Sequence, residues 1–141
     1  MRSWLFHGGS RAWKASLGLL LLRLASGVLM IVLHGWRKFE TYGDGASEFW
    51  HPPGVSPEVS MALTIFAEVF CAGLVALGLL TRWAAAVGMF TMIIAAFVVH
   101  SNDPLSKQEL ALMYLAMYGA LIAMGPGRFS IDHFITRDRA S

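Results

Sequence analysis

Arg23 and Glu68 carry the clearest chemical signal in the chain, because each interrupts a long apolar run, Arg23 within residues 15–39 and Glu68 within residues 59–80. A charge at the middle of a membrane span costs about 2.5–3.5 kcal/mol even on the lenient insertion scale, so such residues pair with one another or line a polar path. Arg23 stands about eight residues into its run, roughly 12 Å at helical rise. Glu68 enters from the opposite side by about nine residues, roughly 14 Å, which leaves it about 16 Å from the far edge of a ~30 Å core. That mismatch is within the reach of an arginine side chain. The spacing therefore predicts an Arg23–Glu68 ion pair between the first two helices, serving either helix register or function.

His34, His100 and Glu109 form a second group, each at the same end of a different apolar run. Arg23, Gly27, Met30 and His34 recur at spacings of three and four, so they share one helix face. A polar seam from the middle of the membrane to its outer mouth follows, and a quinol headgroup or a proton path needs such a seam. Tyr114 and Tyr118, four apart on the last run, can hydrogen-bond into it or simply pack in the core. The plainer reading makes His34 and His100 interfacial residues and Glu109 a helix cap. Two histidines on neighbouring helices also raise bis-histidine haem ligation, which no haem motif supports. The single cysteine, Cys71, excludes an intrachain disulfide, a thiol zinc site and a CxxC pair. One turn from Glu68, it reads as packing. No metal site is expected.

The elements that must position these residues are membrane helices. Of 141 residues 56% are hydrophobic and 14% charged, against about a quarter charged in soluble domains. Mean hydropathy is +0.57. A formal charge of +2, scattered along the chain, excludes a nucleic-acid binder. Four spans are expected, at about residues 15–39, 59–80, 83–100 and 106–124, forming one all-α domain over residues 1–141, a transmembrane four-helix bundle. Ser56-Pro57 reads as an N-cap with proline at the first helical position. Ser106-Lys107-Gln108-Glu109 fits a capping box, and Gly125-Pro126-Gly127 ends the last helix. Only Thr81-Arg82 separates the second and third spans, which implies a tight antiparallel hairpin. The first run continues to Leu33, longer than the apolar core of a signal peptide, so it reads as a retained helix. Arg2, Arg11, Lys14, Arg82, Arg128, Arg137 and Arg139 fall on one side of this topology, against Arg37, Lys38 and Lys107 on the other. Both termini are therefore expected in the cytoplasm. The five tryptophans near span ends agree with an aromatic belt. The one long connection, residues 40–56, reads as an irregular lid over the outer ends, and residues 137–141 as a frayed tail.

Leu22-Arg23, Gly27 and His34-Gly35 with Lys38 resemble the first-helix pattern of the DoxX family of small bacterial membrane proteins. Glu68, Gly73 and Gly78-Leu79-Leu80-Thr81-Arg82-Trp83-Ala84-Ala85 look like its second motif. Gly125-Pro126-Gly127-Arg128-Phe129-Ser130-Ile131-Asp132 looks like its closing one. The resemblance runs from about Leu19 to Asp132. It implies a four-helix protein of the bacterial cytoplasmic (inner) membrane and a link to quinone-coupled redox or thiol-stress systems, since the family name comes from subunits of a thiosulfate:quinone oxidoreductase.

The expected function is thus a membrane subunit of a redox-linked system that meets quinone or quinol through the seam, with Arg23 and Glu68 as intramembrane pair and His34, His100, Glu109 and Tyr118 as candidate ligand-binding residues. No flavin, iron–sulfur or thiol motif gives the chain a complete redox centre, so catalysis would need a larger complex. Quinone is the one cofactor expected, with haem disfavoured. The expected partners are the lipid bilayer and other membrane subunits or further copies of the chain. The alternative is an accessory or scaffold subunit with no ligand of its own, for which the small residues Ala72, Gly73, Ala76, Ala85, Ala86 and Gly88 would serve close packing. A permease is disfavoured, because four short helices leave little room for a pathway.

Overall fold

The computed structural model describes residues 11–138, with side chains placed over 13–136. The expectations that rest on Arg2, Trp4, Arg139 and residues 139–141 fall outside them, while the frayed tail expected from residue 137 is helical as far as Asp138. Among the described residues every regular element is helical. Three helices are long and apolar enough to cross a membrane: α1 (Trp13–Glu40), α2 (Pro57–Leu77) and α3 (Thr81–Val99). α4 (Leu105–Met124) has 20 residues, and a short amphipathic α5 (Ile131–Asp138) follows. Helix α1 packs on α2, α2 on α3, α3 on α4 and α4 on α1. The outward faces are apolar: Leu21, Leu63 and Phe90 are each more than 60% exposed. Surface of that kind over three membrane-length helices is covered by lipid.

Helix ends follow local chemistry. Ser56 Oγ accepts from the Val59 amide at 3.4 Å, with Pro57 at the first helical position. Gly78, at φ 75°, closes α2: its amide bonds to the Val75 carbonyl and the Leu79 amide to that of Leu74, a Schellman pattern. The turn to α3 is therefore residues 78–80. Thr81 and Arg82, expected as the linker, are the first turn of α3. The capping box at Ser106 does not form, because α4 starts one residue earlier with Pro104 at the cap and no side-chain bond there. Gln108 instead ties the turn, its Nε2 donating to the carbonyls of His100 and Asp103. The connection over residues 40–56 is not wholly irregular, for Tyr42–Gly45 makes a helical turn and Ala46–Glu48 a 3-10 turn. It packs against the start of α2, where Ser60 Oγ donates to the Trp50 carbonyl at 2.8 Å.

The expected Arg23–Glu68 pair is absent. Close approach at two glycines sets the α1–α2 register: a Cβ on Gly27 would lie 2.6 Å from the Ala72 carbonyl oxygen, and one on Gly35 would lie 2.8 Å from that of Glu68. Glu68 thus faces Gly35, while Arg23 faces Val75 and Ala76, seven or eight residues or roughly 10–12 Å further along α2. Counting depth inward from apolar span ends missed this offset, because contacts rather than ends align the helices. Of the small residues expected at interfaces, Ala72, Ala85 and Gly88 are buried, whereas Ala86 is exposed and a Cβ on Gly73 would meet one atom only, at 3.9 Å.

Arg23 instead ties together the end of the molecule that carries the α2–α3 hairpin. Its Nε donates to the Val75 carbonyl, Nη1 to Pro126 and Nη2 to Ala76, at 3.1, 2.7 and 3.2 Å. Two of these carbonyls belong to the last turn of α2, the negative end of its dipole. Opposite, Asp132 accepts from the amides of Leu80 and Thr81 and from Thr81 Oγ1, so it caps α3 from a distant segment. Its own amide donates to the Gly78 carbonyl. Gly78 has no room for a side chain: a Cβ would lie 2.6 Å from Ser130 Cβ and 2.7 Å from Arg23 Cζ.

Candidate functional site

The opposite end of the molecule holds a polar pocket among α1, α2, α3 and the start of α4. Its volume is about 160 Å³, and its lining includes His34, Lys38, Glu68, His100, Lys107 and Tyr114 with Met30 and Met92. Three helices loosen into π-helical turns at this level: Ile31–Gly35 in α1, Phe66–Cys71 in α2 and Ala95–Val99 in α3. A π turn widens the helix by one residue and re-aims its side chains, and such bulges are frequent at functional sites. His34 and Glu68 lie inside two of these turns, and His100 follows directly on the third.

Glu68 is the acid among the described residues that line the pocket. Its Oε2 accepts from Lys38 Nζ at 2.6 Å, with the two side chains 7% and 26% exposed respectively. A buried carboxylate needs such a cation and hydrogen bond to offset lost hydration. Lys38 is four residues beyond His34, so both project from one face of α1. The His34 ring meets the Tyr114 ring edge-on at 5.9 Å, and Tyr114 in turn contacts Tyr118 at 6.2 Å. Tyr118 is 1% exposed, and its ring occupies the space that the missing side chain of Gly88 leaves.

The rim carries a second charged group. His100 Nδ1 lies 2.7 Å from Asp103 Oδ2, and Lys107 Nζ lies 3.4 Å from Asp103 Oδ1. The hydrogen bond from His100, helped by Lys107, holds the Asp103 carboxyl below its ordinary range. Among the described residues no cluster of three or more His, Cys, Asp or Glu is placed to hold a metal. Cys71 is fully buried and free.

Of the residues singled out from sequence, the structure brings His34, Glu68 and His100 to one pocket. Tyr118 lies beyond Tyr114, outside the lining, and Glu109 is an exposed residue outside it as well. Arg23 belongs to the opposite end. Lys38, Tyr114 and Lys107 join the site as cation, ring and rim. The signal for Lys38 was its i+4 relation to His34, which a count of basic flanking residues passes over.

The pocket can offer imidazole, phenol and carboxylate groups to a small polar ring, or hold about five waters at ~30 Å³ each. No curated protein and no solved structure is detectably similar to the chain. The family comparison does give a match, with the DoxX profile aligning to residues 18–101. That stretch holds Arg23, the α2–α3 turn, His34, Lys38, Glu68 and His100, and ends before Gly125 to Asp132, the segment that packs back onto it. A match over more than half of its length, on membrane-length helices that carry the motifs just described, makes this chain a member of the DoxX family.

Proposed function

We propose that the chain is a small integral membrane subunit of a redox-linked system and that its polar pocket receives a quinone or quinol headgroup. The observation that carries this reading is the Lys38–Glu68 pair, set beside His34 and Tyr114 in a pocket whose remaining lining includes Met30, Met92, Ala95, Leu110 and Ala111. His34 and Tyr114 provide hydrogen-bonding groups for ring oxygens, and Glu68, held by Lys38, provides a proton acceptor. About 160 Å³ suits a single ring with its isoprenoid tail left in lipid, and is below the ~300–1,000 Å³ of pockets that enclose larger ligands, which disfavours haem. Electrons would leave through a partner subunit, since the chain has no redox motif. In this reading α4 is a fourth span, the protein is a transmembrane four-helix bundle, and the hairpin end with both termini faces the cytoplasm of a bacterial inner membrane. Basic residues at that end support the orientation.

One observation favours a ligand-free accessory or scaffold subunit: among the described residues no buried side-chain nitrogen or oxygen lacks a hydrogen-bond partner. No fully buried polar atom of the pocket therefore calls for a ligand to complete it. Lipid extraction from protein purified in mild detergent separates the two readings. Quinone enriched over its level in the bulk membrane, and lost on His34→Leu, is the expected result. A quinone content equal to that of the bulk lipid, unchanged by the substitution, would overturn the quinone reading.

A further inference from the structure

We infer that the hairpin end carries a binding site for the phosphate of an anionic phospholipid, separate from the polar pocket and independent of its ligand. A groove of about 840 Å³ opens there, lined in part by Arg82, Arg128, Leu80, Trp83 and Met124. Arg82 and Arg128 are exposed, and among the described residues neither forms an ion pair or a hydrogen bond. The acid in the groove, Asp132, turns its two oxygens to the Leu80 and Thr81 amides and the Thr81 hydroxyl and forms no ion pair with either arginine. Two guanidinium groups without partners therefore face a common space, and a phosphate is the anion that such forks hold best.

The lip of the groove identifies the anion as a lipid. Leu80, Trp83 and Met124 are 58%, 50% and 61% exposed and sit beside the two arginines. Apolar side chains next to a cationic recess match a molecule that is charged at one end and aliphatic at the other, and tryptophan at a helix end marks headgroup depth. Leu80 holds this place at a cost, since its φ of 48° is in the left-handed region that favours glycine. The bond from its amide to Asp132 fixes that conformation. Basic recesses between membrane helices recognise anionic headgroups in this way.

The test is native mass spectrometry of the full chain released from nanodiscs of equal phosphatidylglycerol and phosphatidylethanolamine. The wild type is expected to retain phosphatidylglycerol preferentially, and Arg82→Gln with Arg128→Gln to lower that preference roughly 30-fold, equivalent to about 2 kcal/mol at about one per arginine. Arg82→Lys with Arg128→Lys keeps both charges without the forks and should leave an intermediate preference, which separates loss of the site from any effect on folding. Two results would overturn the inference: no preference for phosphatidylglycerol in the wild type, or a preference that survives the double glutamine change. Displacement of the retained lipid by inorganic phosphate at matched concentration would also overturn it, assigning the groove to a free phosphate-bearing ligand.

Discussion

Removing the Lys38 ammonium leaves the Glu68 carboxylate buried without its cation, whereas replacing both groups by apolar ones leaves nothing to compensate. Lys38→Met and Glu68→Leu should each lower stability by about 3 kcal/mol, the low end for buried pairs because Lys38 is a quarter exposed, and the double change should recover most of the loss. Thermal unfolding in detergent reads this as a coupling between the two sites. The same cycle on Arg23 and Glu68 should give a coupling near zero, since the two residues share no partner. Arg23→Leu leaves three carbonyls without their donor, so no second change at Glu68 should rescue it. A rescue would mean that the pair forms after all.

Helices α1 and α2 meet where glycine lets backbones touch, so the register of the pair depends on two missing side chains. Gly35→Ala puts a methyl within 2.7–2.9 Å of Val69 and the Glu68 backbone and should cost about 1–3 kcal/mol, displacing Glu68 from Lys38. Gly18→Ala, where nothing lies within 4 Å, should be neutral or stabilising by roughly 0.5–1 kcal/mol through helix propensity. Equal effects at the two positions would contradict the packing described. The α3–α4 turn responds to pH instead. A carboxyl held below its ordinary value of 3.8 contributes stability that is complete above that value and is lost as pH falls through the lowered one. Amide exchange over residues 100–108 should therefore accelerate below about pH 4 and be flat with respect to Asp103 above it, and Asp103→Asn should abolish that acid dependence.

Across the whole molecule, the proposed four-span arrangement puts both ends on one side of the membrane, because an even number of spans returns the chain to the side it left. A reporter fused after Ser141 should be active only when it requires the cytoplasm, and activity restricted to the other side would remove the four-span arrangement. Thiol reagents offer an internal check: Cys71, at 0% exposure, should label only after denaturation. Labelling of the native protein from either side would place a water path through the core.

Helical class, approximate helix limits and membrane residence were legible in the chain itself, because apolar length and the signals Ser56-Pro57 and Gly125-Pro126-Gly127 act locally. His34 and His100 were legible as neighbours at one end because their depths matched, whereas Glu109, grouped with them on the same ground, lies outside the pocket, and Glu68, paired with Arg23 from the sequence, takes its place. Which cation meets which anion was not. That choice depends on a sliding register fixed by Gly27 and Gly35 against α2, and on a return of the chain at Ser130 and Asp132 that brings segments about fifty residues apart onto Gly78 and Thr81. Local sequence determines that a buried charge must find partners. Tertiary contact alone decided that Arg23 finds carbonyls at one end, and Glu68 finds Lys38 at the other.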